Sequence, residues 1–311
     1  MNIYLDSKMH IQLQRLDPIF KERNVNLIRK PDKCEVQLSL VHFRKKTNLP
    51  KVTRIDGIYY NLAIPYRKLN KPISIAHNES SGIIYQSKFS MDMCEKYLAK
   101  RTTNNFEIIY NGIKPNWSGT FKEHIGINVV VSAKWRRFKR LSEIIDIFLE
   151  FNKTVKNSKL HVIGTLHENK IMKHPNIIYY GMIKFDKISE VYREGDMFIH
   201  LAKNDSCPKT VTEAIGSGMP VITSGACGGA TEMALMTPGC VICKGDSYSL
   251  EPDYVYQNKW NIVSNNLRTR VLNSMFEISN DKRRVVLPQE LHINTTADKY
   301  IKVLNGAIKN V

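Results

Sequence analysis

The sequence contains no apolar run close to the roughly 20 residues that a membrane-spanning helix requires. Its start, Met1 to Asp6, lacks the basic residues and the apolar core of a secretory signal. Low-complexity tracts and internal repeats are absent, and proline (12) and glycine (16) are not enriched. These absences argue against a membrane-spanning, secreted, disordered or repeat protein. With 311 residues, of which 42% are hydrophobic, we expect a cytoplasmic protein of one large or two medium domains.

Cysteine is also sparse, and its six positions are scattered along the chain. Cys240 and Cys243 have the CxxC spacing, but no second pair and no histidine cluster completes a zinc set. A buried strand over residues 239–243 explains this pair better. We therefore expect neither a metal site nor a redox site.

The sequence has few acidic residues. It contains 29 Asp and Glu compared with 46 Lys and Arg, which gives a net charge of +17. The excess is denser in residues 1–118, which contain 20 basic and 10 acidic residues. A nucleic acid, an anionic membrane surface or an anionic substrate would each fit this charge. A lysine-rich and asparagine-rich composition explains it equally well. The chain has no RNA-binding aromatic signature and no zinc-finger spacing.

Strand-like and helix-like segments alternate along the whole chain, which predicts an α/β fold with parallel sheets. Predicted strands cover residues 2–5, 36–43, 52–60, 82–86, 106–110, 127–132, 160–164, 176–181, 197–202, 221–223 and 239–243. Predicted helices cover residues 11–22, 91–100, 142–151, 189–194, 210–216, 267–278 and 296–308. Residues 115–123, with proline, tryptophan, serine and glycine, indicate a linker.

Residues 197–223 are predicted as strand, loop, helix, turn and strand. The loop of such a unit lies outside the carboxyl end of its first strand, where open parallel sheets bind ligands. Free N–H groups at the helix start, near Lys209 and Thr210, favour an anion such as a diphosphate. Asp205 in the loop and Glu213 in the helix are suited to accept hydrogen bonds from sugar or ribose hydroxyls.

Five basic residues precede the helix that begins near Ser142; they are Lys134, Arg136, Arg137, Lys139 and Arg140. Cations are unfavourable at a helix N-terminus because of the helix dipole. The cluster therefore indicates a bound anion, although a solvated basic helix start is the simpler alternative.

The stretch from Asp205 to Val221 resembles the signature of retaining glycosyltransferases of family 4, which have the GT-B fold. That signature is an acidic residue, seven residues, then Glu-Ala and a turn of small residue, Gly, any residue, Pro and Val. The chain has Asp205, then Glu213-Ala214, then residues 217–221 as Ser-Gly-Met-Pro-Val. It departs from the family in having Asp205 where Glu is usual and Cys207-Pro208 where Phe-Gly is usual. An ordinary strand-loop-helix crossover with solvated acids is the alternative.

Three further segments resemble the same family. Residues 111–113, Asn-Gly-Ile, resemble the Asn-Gly-Val that ends the acceptor domain. Lys134 and Lys139 fall on the two basic positions of Gly-Arg-(four residues)-Lys-Gly, with Ala133 and Arg140 replacing the glycines. Gly228, Gly229 and Glu232 resemble the Gly-Gly-X-X-Glu turn. The resemblance is specific over about residues 106–246 and only architectural elsewhere.

This resemblance implies a GT-B fold, in which two Rossmann-like domains face each other across a cleft. We expect a short acceptor-binding domain over residues 1–118 that lacks peripheral helices, and a donor-binding domain over residues 119–290. Residues 291–311 would form a terminal helix that crosses back to the first domain.

The implied activity is retaining transfer of a sugar from a nucleotide diphosphate sugar to an acceptor hydroxyl, in glycan synthesis. No cofactor and no metal are expected, because basic side chains would stabilise the diphosphate. Catalytic roles fall on Asp205, which would contact the transferred sugar, and on Lys139 and Lys134, which would hold the diphosphate. The expected donor-binding residues are Glu213, at the ribose, together with Thr210, Lys209, Pro208, Cys207, Gly164, Met182 and Arg136. Met182 and Ile183 would border the nucleotide base.

Candidates on the acceptor side come from the first domain and are Asp56, Asn61 and His77, which lie near predicted strand ends. A strand-end turn is the alternative for Asp56, and a structural histidine is the alternative for His77. The expected partners are a nucleotide-sugar donor and a glycan or other hydroxyl acceptor. Peripheral contact with an anionic membrane is left open.

Other functions remain open from the sequence alone. The charge would suit a nucleic-acid-binding protein of the same fold or a glycosyltransferase that modifies DNA. A sugar-phosphate epimerase or a phosphorylase is a further alternative, although the lysine motif that carries a phosphorylase cofactor is not found.

Overall fold

The computed structural model describes residues 1–62, 64–166, 172–251 and 262–309. The chain forms two compact units, and each is described by itself. As far as it is described, the first unit comprises residues 1–113, 250–251 and 289–309. The second comprises residues 114–249 and 262–288. Residues 115–123, which we expected as a linker, therefore belong to the second unit.

Strands and helices alternate through the described residues, in general agreement with the predicted pattern. The strands are β1 (Asn2–Leu5), β2 (Asn26–Ile28), β3 (Val36–Leu40), β4 (Lys51–Ile55), β5 (Gly82–Tyr85), β6 (Phe106–Ile108), β7 (Ile127–Ser132), β8 (Ser158–Ile163), β9 (Ile177–Gly181), β10 (Met197–His200), β11 (Val221–Ser224) and β12 (Val241–Cys243). The helices are α1 (Ile11–Glu22), α2 (Tyr66–Glu79), α3 (Lys88–Tyr97), α4 (Leu141–Thr154), α5 (Phe185–Arg193), α6 (Lys209–Gly216), α7 (Gly229–Leu235), α8 (Asn265–Asp281) and α9 (Ile293–Lys309).

Within the described residues each unit contains one six-stranded sheet, and every strand pair in both sheets is parallel. The first sheet has the order β2-β1-β3-β4-β5-β6, and the second has the order β12-β11-β10-β7-β8-β9. In the second sheet the direction of winding reverses between β7 and β10. Such a switch point opens a crevice at the carboxyl ends of the two strands. The predicted α/β class with parallel sheets is confirmed.

The second unit is built around β7, in which all six residues are buried. Continuous burial is typical of a parallel strand that is covered on both faces. Helix α4 buries Ile144, Ile147, Phe148 and Phe151 at helical spacing in the same apolar core. Helix α8 packs against α4 and contributes Val271, Met275 and Ile278 to this core.

The first unit is completed by the C-terminal helix α9. Its buried face, which includes Tyr300, Val303 and Leu304, joins the core formed by β1, β3 and α1. The ring of Tyr300 lies 6.2 Å from that of Phe20 in α1. The chain therefore returns to the unit in which it began, as the family resemblance implies for a terminal helix.

The structure corrects several predicted elements. Helix α2 and strand β2 were not predicted, and the predicted glycine turn after residue 225 contains helix α7. Two predicted strands are shorter than expected: β3 ends at Leu40, before Val41 with its φ of 72°, and β4 ends at Ile55, shortly before Gly57 with a φ of 146°. Positive φ angles interrupt an extended strand.

No helix among the described residues is long and apolar enough to cross a membrane.

Candidate active site in the second unit

Two loops meet at the switch point of the second sheet. One follows β7 and leads to α4, and the other follows β10 and leads to α6. Because β7 and β10 are adjacent and parallel, both loops leave the same edge of the sheet. This edge is the expected ligand site of such a fold.

The centre of the site is an ion pair between these two loops. Nζ of Lys139, from the β7–α4 loop, contacts Oδ2 of Asp205, from the β10–α6 loop. Nε2 of His200, at the end of β10, lies 3.2 Å from the same carboxylate oxygen. The side chains of Lys139 and Asp205 are 15% and 18% exposed, so the pair is half-buried but open to an incoming ligand.

The charges of this group follow from its surroundings. Burial alone would raise the pKa of Asp205, but the Lys139 charge and the contact with His200 outweigh it and hold that pKa well below its usual range. Burial lowers the pKa of His200 although Asp205 opposes this. At neutral pH the site therefore contains an ionised Asp205 and a neutral His200 beside Lys139.

Asp205 is also held by its backbone. Its carbonyl accepts a hydrogen bond of 2.8 Å from the N–H of Gly229, and its own N–H donates to Cys227 at 3.3 Å. Gly228 adopts a φ of 60° and precedes α7, in which Glu232 lies in the first turn. The glycine segment that resembles the family turn thus supports the Asp205 loop.

Arg140 has a different position from the one expected for an additional anion-binding cation. It adopts the left-handed conformation, with φ 59°, at the start of α4. Its buried guanidinium donates to Oδ2 of Asp246 at 2.6 Å and to the carbonyl of Leu201 at 3.3 Å. The left-handed conformation favours glycine, which explains why the family pattern has glycine here.

The predicted cluster of five cations is therefore divided between two roles. Lys139 and Arg140 have carboxylate partners within the protein. Lys134, Arg136 and Arg137 are exposed, and among the described residues their side chains form no ion pair, although the charge of Arg137 acts on Glu143 in α4. These three side chains are available to an anion from solvent.

Lys203 is a buried lysine close to this edge of the sheet. Burial lowers its pKa to about 8, and the charge of Arg140 acts in the same direction while Asp246 opposes it. Its N–H donates to the carbonyl of Phe138 at 3.1 Å, which joins the two loops through their backbones.

Helix α6 begins directly after the Asp205 loop. Pro208 occupies the position before the helix and provides no side-chain cap. A helix start of this kind leaves backbone N–H groups for an anion. Lys209 and Thr210 are half-buried in its first turn, and the side chain of Cys207 is buried. Glu213 is 8% exposed, and its carbonyl accepts a hydrogen bond of 2.6 Å from Nε1 of Trp117.

The other predicted donor-binding residues lie after neighbouring strands. Gly164 follows β8 with a φ of 110°, and a Cβ atom there would lie 1.9 Å from the carbonyl oxygen of Ala133. Any larger residue would push apart the β7–α4 and β8 loops. Met182 follows β9 and is 84% exposed, while Ile183 beside it is half-buried.

The predicted acceptor-side residues lie in the first unit. Asp56 binds Arg54, whose side chain is 1% exposed, at 2.8 Å. Asn61 is half-buried in the loop before α2. His77 is fully buried in α2, with Nδ1 2.6 Å from the carbonyl of Ala99 and Nε2 2.7 Å from the hydroxyl of Tyr85. The surroundings of Asp56 and His77 favour structural roles.

Among the residues that the structure describes, no three His, Cys, Asp or Glu side chains are grouped as metal ligands.

Sequence reasoning missed four residues of this site: Trp117, His200, Lys203 and Asp246. His200 could have been found, because it ends a buried parallel strand at the edge where ligands bind. The partnership of Arg140 with Asp246 spans 106 residues of sequence, and no local pattern signals it.

The segment that contains this site is similar to a known protein family. Residues 127–251 match the model of the family Glycosyl transferases group 1, which is about two fifths of the chain. A curated relative, the alpha-monoglucosyldiacylglycerol synthase of Acholeplasma laidlawii, is 22% identical over 41% of this chain. The match spans only 38% of that relative's length.

Solved structures resemble nearly the whole chain. Anabaena Alr3699/HepE, in complex with UDP-glucose, has a TM-score of 0.62 at 12% identity, over 98% of this chain and 99% of its own. WaaG, a glycosyltransferase involved in lipopolysaccharide biosynthesis, has a TM-score of 0.60 at 13% identity, over 98% and 100%. AviGT4, a glycosyltransferase involved in avilamycin A biosynthesis, has a TM-score of 0.60 at 10% identity, over 100% and 99%.

These matches confirm the predicted GT-B fold. Within a chain of this fold, residues 127–251 resemble the glycosyl transferases group 1 family, which agrees with the predicted class of enzyme.

Proposed function

We propose that the protein is a retaining glycosyltransferase that moves a sugar from a nucleotide diphosphate sugar to an acceptor hydroxyl without a metal. The observation that carries this proposal is the Lys139–Asp205–His200 group at the switch point, next to the start of α6. A cation, a carboxylate and a helix start that face one crevice suit a ligand with both phosphates and hydroxyls.

The diphosphate would bind to the basic side of the site. Lys134 and Lys139 would contact its oxygens, and the first turn of α6, at Lys209 and Thr210, would add backbone donors. Negative charge grows on the leaving diphosphate as the glycosidic bond breaks, and preorganised cations stabilise such charge. Side-chain cations in this role would replace a metal ion.

The hydroxyl-bearing parts of the donor would bind to the carboxylates. Glu213 would accept hydrogen bonds from the ribose, and Asp205, held ionised by Lys139, would accept them from the transferred sugar. Met182 and Ile183 would border the base. The solved HepE structure contains UDP-glucose, which makes UDP-sugars the first donors to test.

Transfer with retention can proceed on one face of the sugar. The bond between the anomeric carbon and the phosphate oxygen breaks, and the acceptor oxygen bonds to the same carbon from the same side. The acceptor's proton passes to the departing phosphate oxygen, so the products are a nucleoside diphosphate and the new glycoside. In this proposal no protein side chain becomes covalently attached.

The acceptor is proposed only by class. Asp56, Asn61 and His77 stay predictions for the acceptor side, with Asn61 favoured by its loop position. The curated relative is a synthase whose name includes a glucosyl diacylglycerol, so lipid hydroxyls join glycans among the acceptors to test.

Thermal stabilisation by UDP-, GDP-, ADP-, TDP- and CMP-linked sugars tests the donor site. A ligand at about a hundred times its Kd adds ~2.7 kcal/mol of stability. We expect one donor to stabilise the native chain and to lose this effect in Glu213→Gln, which keeps the side-chain volume. Equal stabilisation of both proteins would place the nucleotide elsewhere, and stabilisation by DNA alone would favour a nucleic-acid-binding protein.

Product analysis then tests the chemistry. With the stabilising donor and a panel of glycan and lipid acceptors, we expect nucleoside diphosphate release in the presence of a chelator. NMR coupling constants of the product should show the anomeric configuration of the donor. An inverted linkage, or loss of turnover with the chelator, would contradict the proposal.

A further inference from the structure

The side chain of His200 is a buried polar group to which the donor chemistry proposed above gives no role. It lies at the end of β10, is 5% exposed and stacks on the ring of Phe198, with ring centres 6.5 Å apart. Its Nε2 atom lies 3.2 Å from Oδ2 of Asp205, yet this buried atom makes no hydrogen bond of good geometry with any described residue. Because an unpaired buried donor costs free energy, such an atom in a native protein needs an explanation.

Lys139 explains why His200 does not pair fully with Asp205. The Lys139 ammonium already contacts the same oxygen, Oδ2. A charged donor forms the stronger hydrogen bond, and its charge also disfavours a second cation beside it. Burial lowers the pKa of His200, and the Lys139 charge acts in the same direction, while Asp205 opposes both. Lys139 and His200 therefore compete for one carboxylate oxygen, and Lys139 holds it in the structure.

The two competitors differ in their freedom to move. Lys139 ends the short helical turn of residues 137–139, and its flexible side chain is 15% exposed. His200 is fixed in a buried parallel strand, and Sγ of Cys227 donates to its backbone carbonyl at 3.2 Å. Of the two, only Lys139 can turn towards an anion that arrives from solvent.

Few charges act on His200. Lys139 comes from the β7–α4 loop and Asp205 from the β10–α6 loop, whereas the flanking strands β7 and β11 contain no charged residue. Burial raises the pKa of Cys227, which therefore stays neutral, and Arg140 is already paired with a carboxylate. Once Lys139 has turned away, the dominant charge beside the imidazole is the Asp205 carboxylate.

We propose that the donor's diphosphate takes Lys139 from Asp205, and that His200 then takes up a proton from solvent and holds Asp205 in its place. His200 is thus a positioning residue. It keeps the ionised Asp205 aimed at the transferred sugar while Lys139 serves the leaving group. This inference rests on the proposed donor site.

The incoming proton has two possible destinations, Asp205 and His200. An imidazole has a pKa of about 6.5 in water and an aspartic acid one of about 3.9, so near neutral pH the imidazole is the better base. A protonated His200 also gives Asp205 a new cationic partner, and a partly buried carboxylate without one is unfavourable. The proton therefore goes to His200.

The test is isothermal titration calorimetry of the full chain with UDP-glucose, without an acceptor, in two buffers of different ionisation enthalpy. GDP-, ADP- and TDP-linked sugars follow as further probes. Both phosphates of these ligands are esterified, so they lack the proton of a free phosphate that titrates at about pH 6. We expect uptake of up to one proton for each donor bound. Between about pH 6 and pH 8, Kd should rise by up to about tenfold for each pH unit.

Two variants and a matched control assign the proton. His200→Gln keeps an N–H that can donate to Asp205 but does not titrate, so it should bind the donor without proton uptake. Lys139→Met removes the competitor, so His200 can pair with Asp205 before the donor arrives; binding should be weaker and again without uptake. The control is His161→Gln, which removes a buried histidine from β8 and should keep the full uptake. If His200→Gln does not fold, Lys139→Met decides.

The possible failures can be told apart. Donor binding without proton uptake by the native chain would overturn this inference and leave the donor site standing. Uptake that persists in His200→Gln would assign the proton to another group, and loss of uptake in His161→Gln would remove the link to the site; either result would also overturn it. Absence of binding by every nucleotide sugar would contradict the proposed function itself, and with it this inference.

Discussion

At the scale of single residues, the site depends on partners that neutralise its charges. Lys139→Met would leave the Asp205 carboxylate with only His200 beside it. We expect a loss of about 1–3 kcal/mol, smaller than for a fully buried pair because both side chains retain contact with solvent. The double variant with Asp205→Asn should lose less than the sum of the single variants. Urea unfolding of the native chain, the two single variants and the double variant gives the coupling free energy. Strictly additive losses would contradict an interaction between Lys139 and Asp205.

Arg140 combines an unfavourable backbone conformation with a favourable side-chain position. Arg140→Gly relieves about 1 kcal/mol of left-handed strain but leaves Asp246 and the Leu201 carbonyl without their partner. Removing one partner of a buried ion pair lowers the free energy of unfolding by about 3 kcal/mol or more, because the other charge is left uncompensated. We therefore expect a net destabilisation of about 2 kcal/mol. A glycine variant as stable as the native chain in urea unfolding would show that the ion pair contributes little.

His161 gives the second unit an acid sensitivity. Burial, with a smaller effect of Lys159, lowers its pKa to about 4, whereas an unfolded histidine titrates near 6.5. As pH falls through this window the unfolded chain takes up the proton first, so stability present above about pH 6.5 is lost towards pH 4. The loss reaches about 3 kcal/mol.

His161→Gln tests this dependence. Unfolding free energies measured across the same window should fall less steeply for the variant than for the native chain. An identical slope would mean that other groups cause the acid sensitivity.

At the scale of elements, Trp117 ties the segment before β7 to two helices. Its Nε1 donates to Glu213 in α6 at 2.6 Å, and its ring centre lies 5.0 Å from Phe185 and 5.5 Å from Tyr192 in α5. We expect Trp117→Phe to cost about 1 kcal/mol through the lost hydrogen bond, and Trp117→Ala about 3 kcal/mol through lost packing. Equal costs in thermal unfolding would mean that the ring contacts are unimportant.

Elements with strong apolar periodicity were predictable from the sequence, and elements held by tertiary contacts were not. Helix α1 and strand β7 have the predicted bounds, because Leu13, Leu16 and Phe20 repeat at helical spacing and four of the six residues 127–132 are β-branched and apolar. Helix α2 was missed because it contains Pro72, a residue that usually ends a helix, and because its buried face includes Asn70 and His77. The spacing of acidic residues, basic residues and glycines was enough to locate the site. The ion pairs within it, Lys139–Asp205 and Arg140–Asp246, could not be predicted because they join residues far apart in the chain.

At the scale of the whole molecule, the first unit is discontinuous in sequence. A fragment of residues 1–113 lacks α9 and with it Tyr300, Val303 and Leu304 from the core. We expect this fragment not to fold, whereas residues 114–288 should fold alone. Circular dichroism and cooperative unfolding would decide, and a cooperatively folded 1–113 fragment would show that α9 is dispensable.

The return of α9 also has a consequence for synthesis on the ribosome. Domains fold as they emerge, from the N-terminal end. Here the first unit emerges early but lacks helix α9, which is translated after the second unit, so its apolar face stays uncovered while the second unit is made. The second unit should reach its native fold first, and the first unit should complete its core only after α9 has emerged.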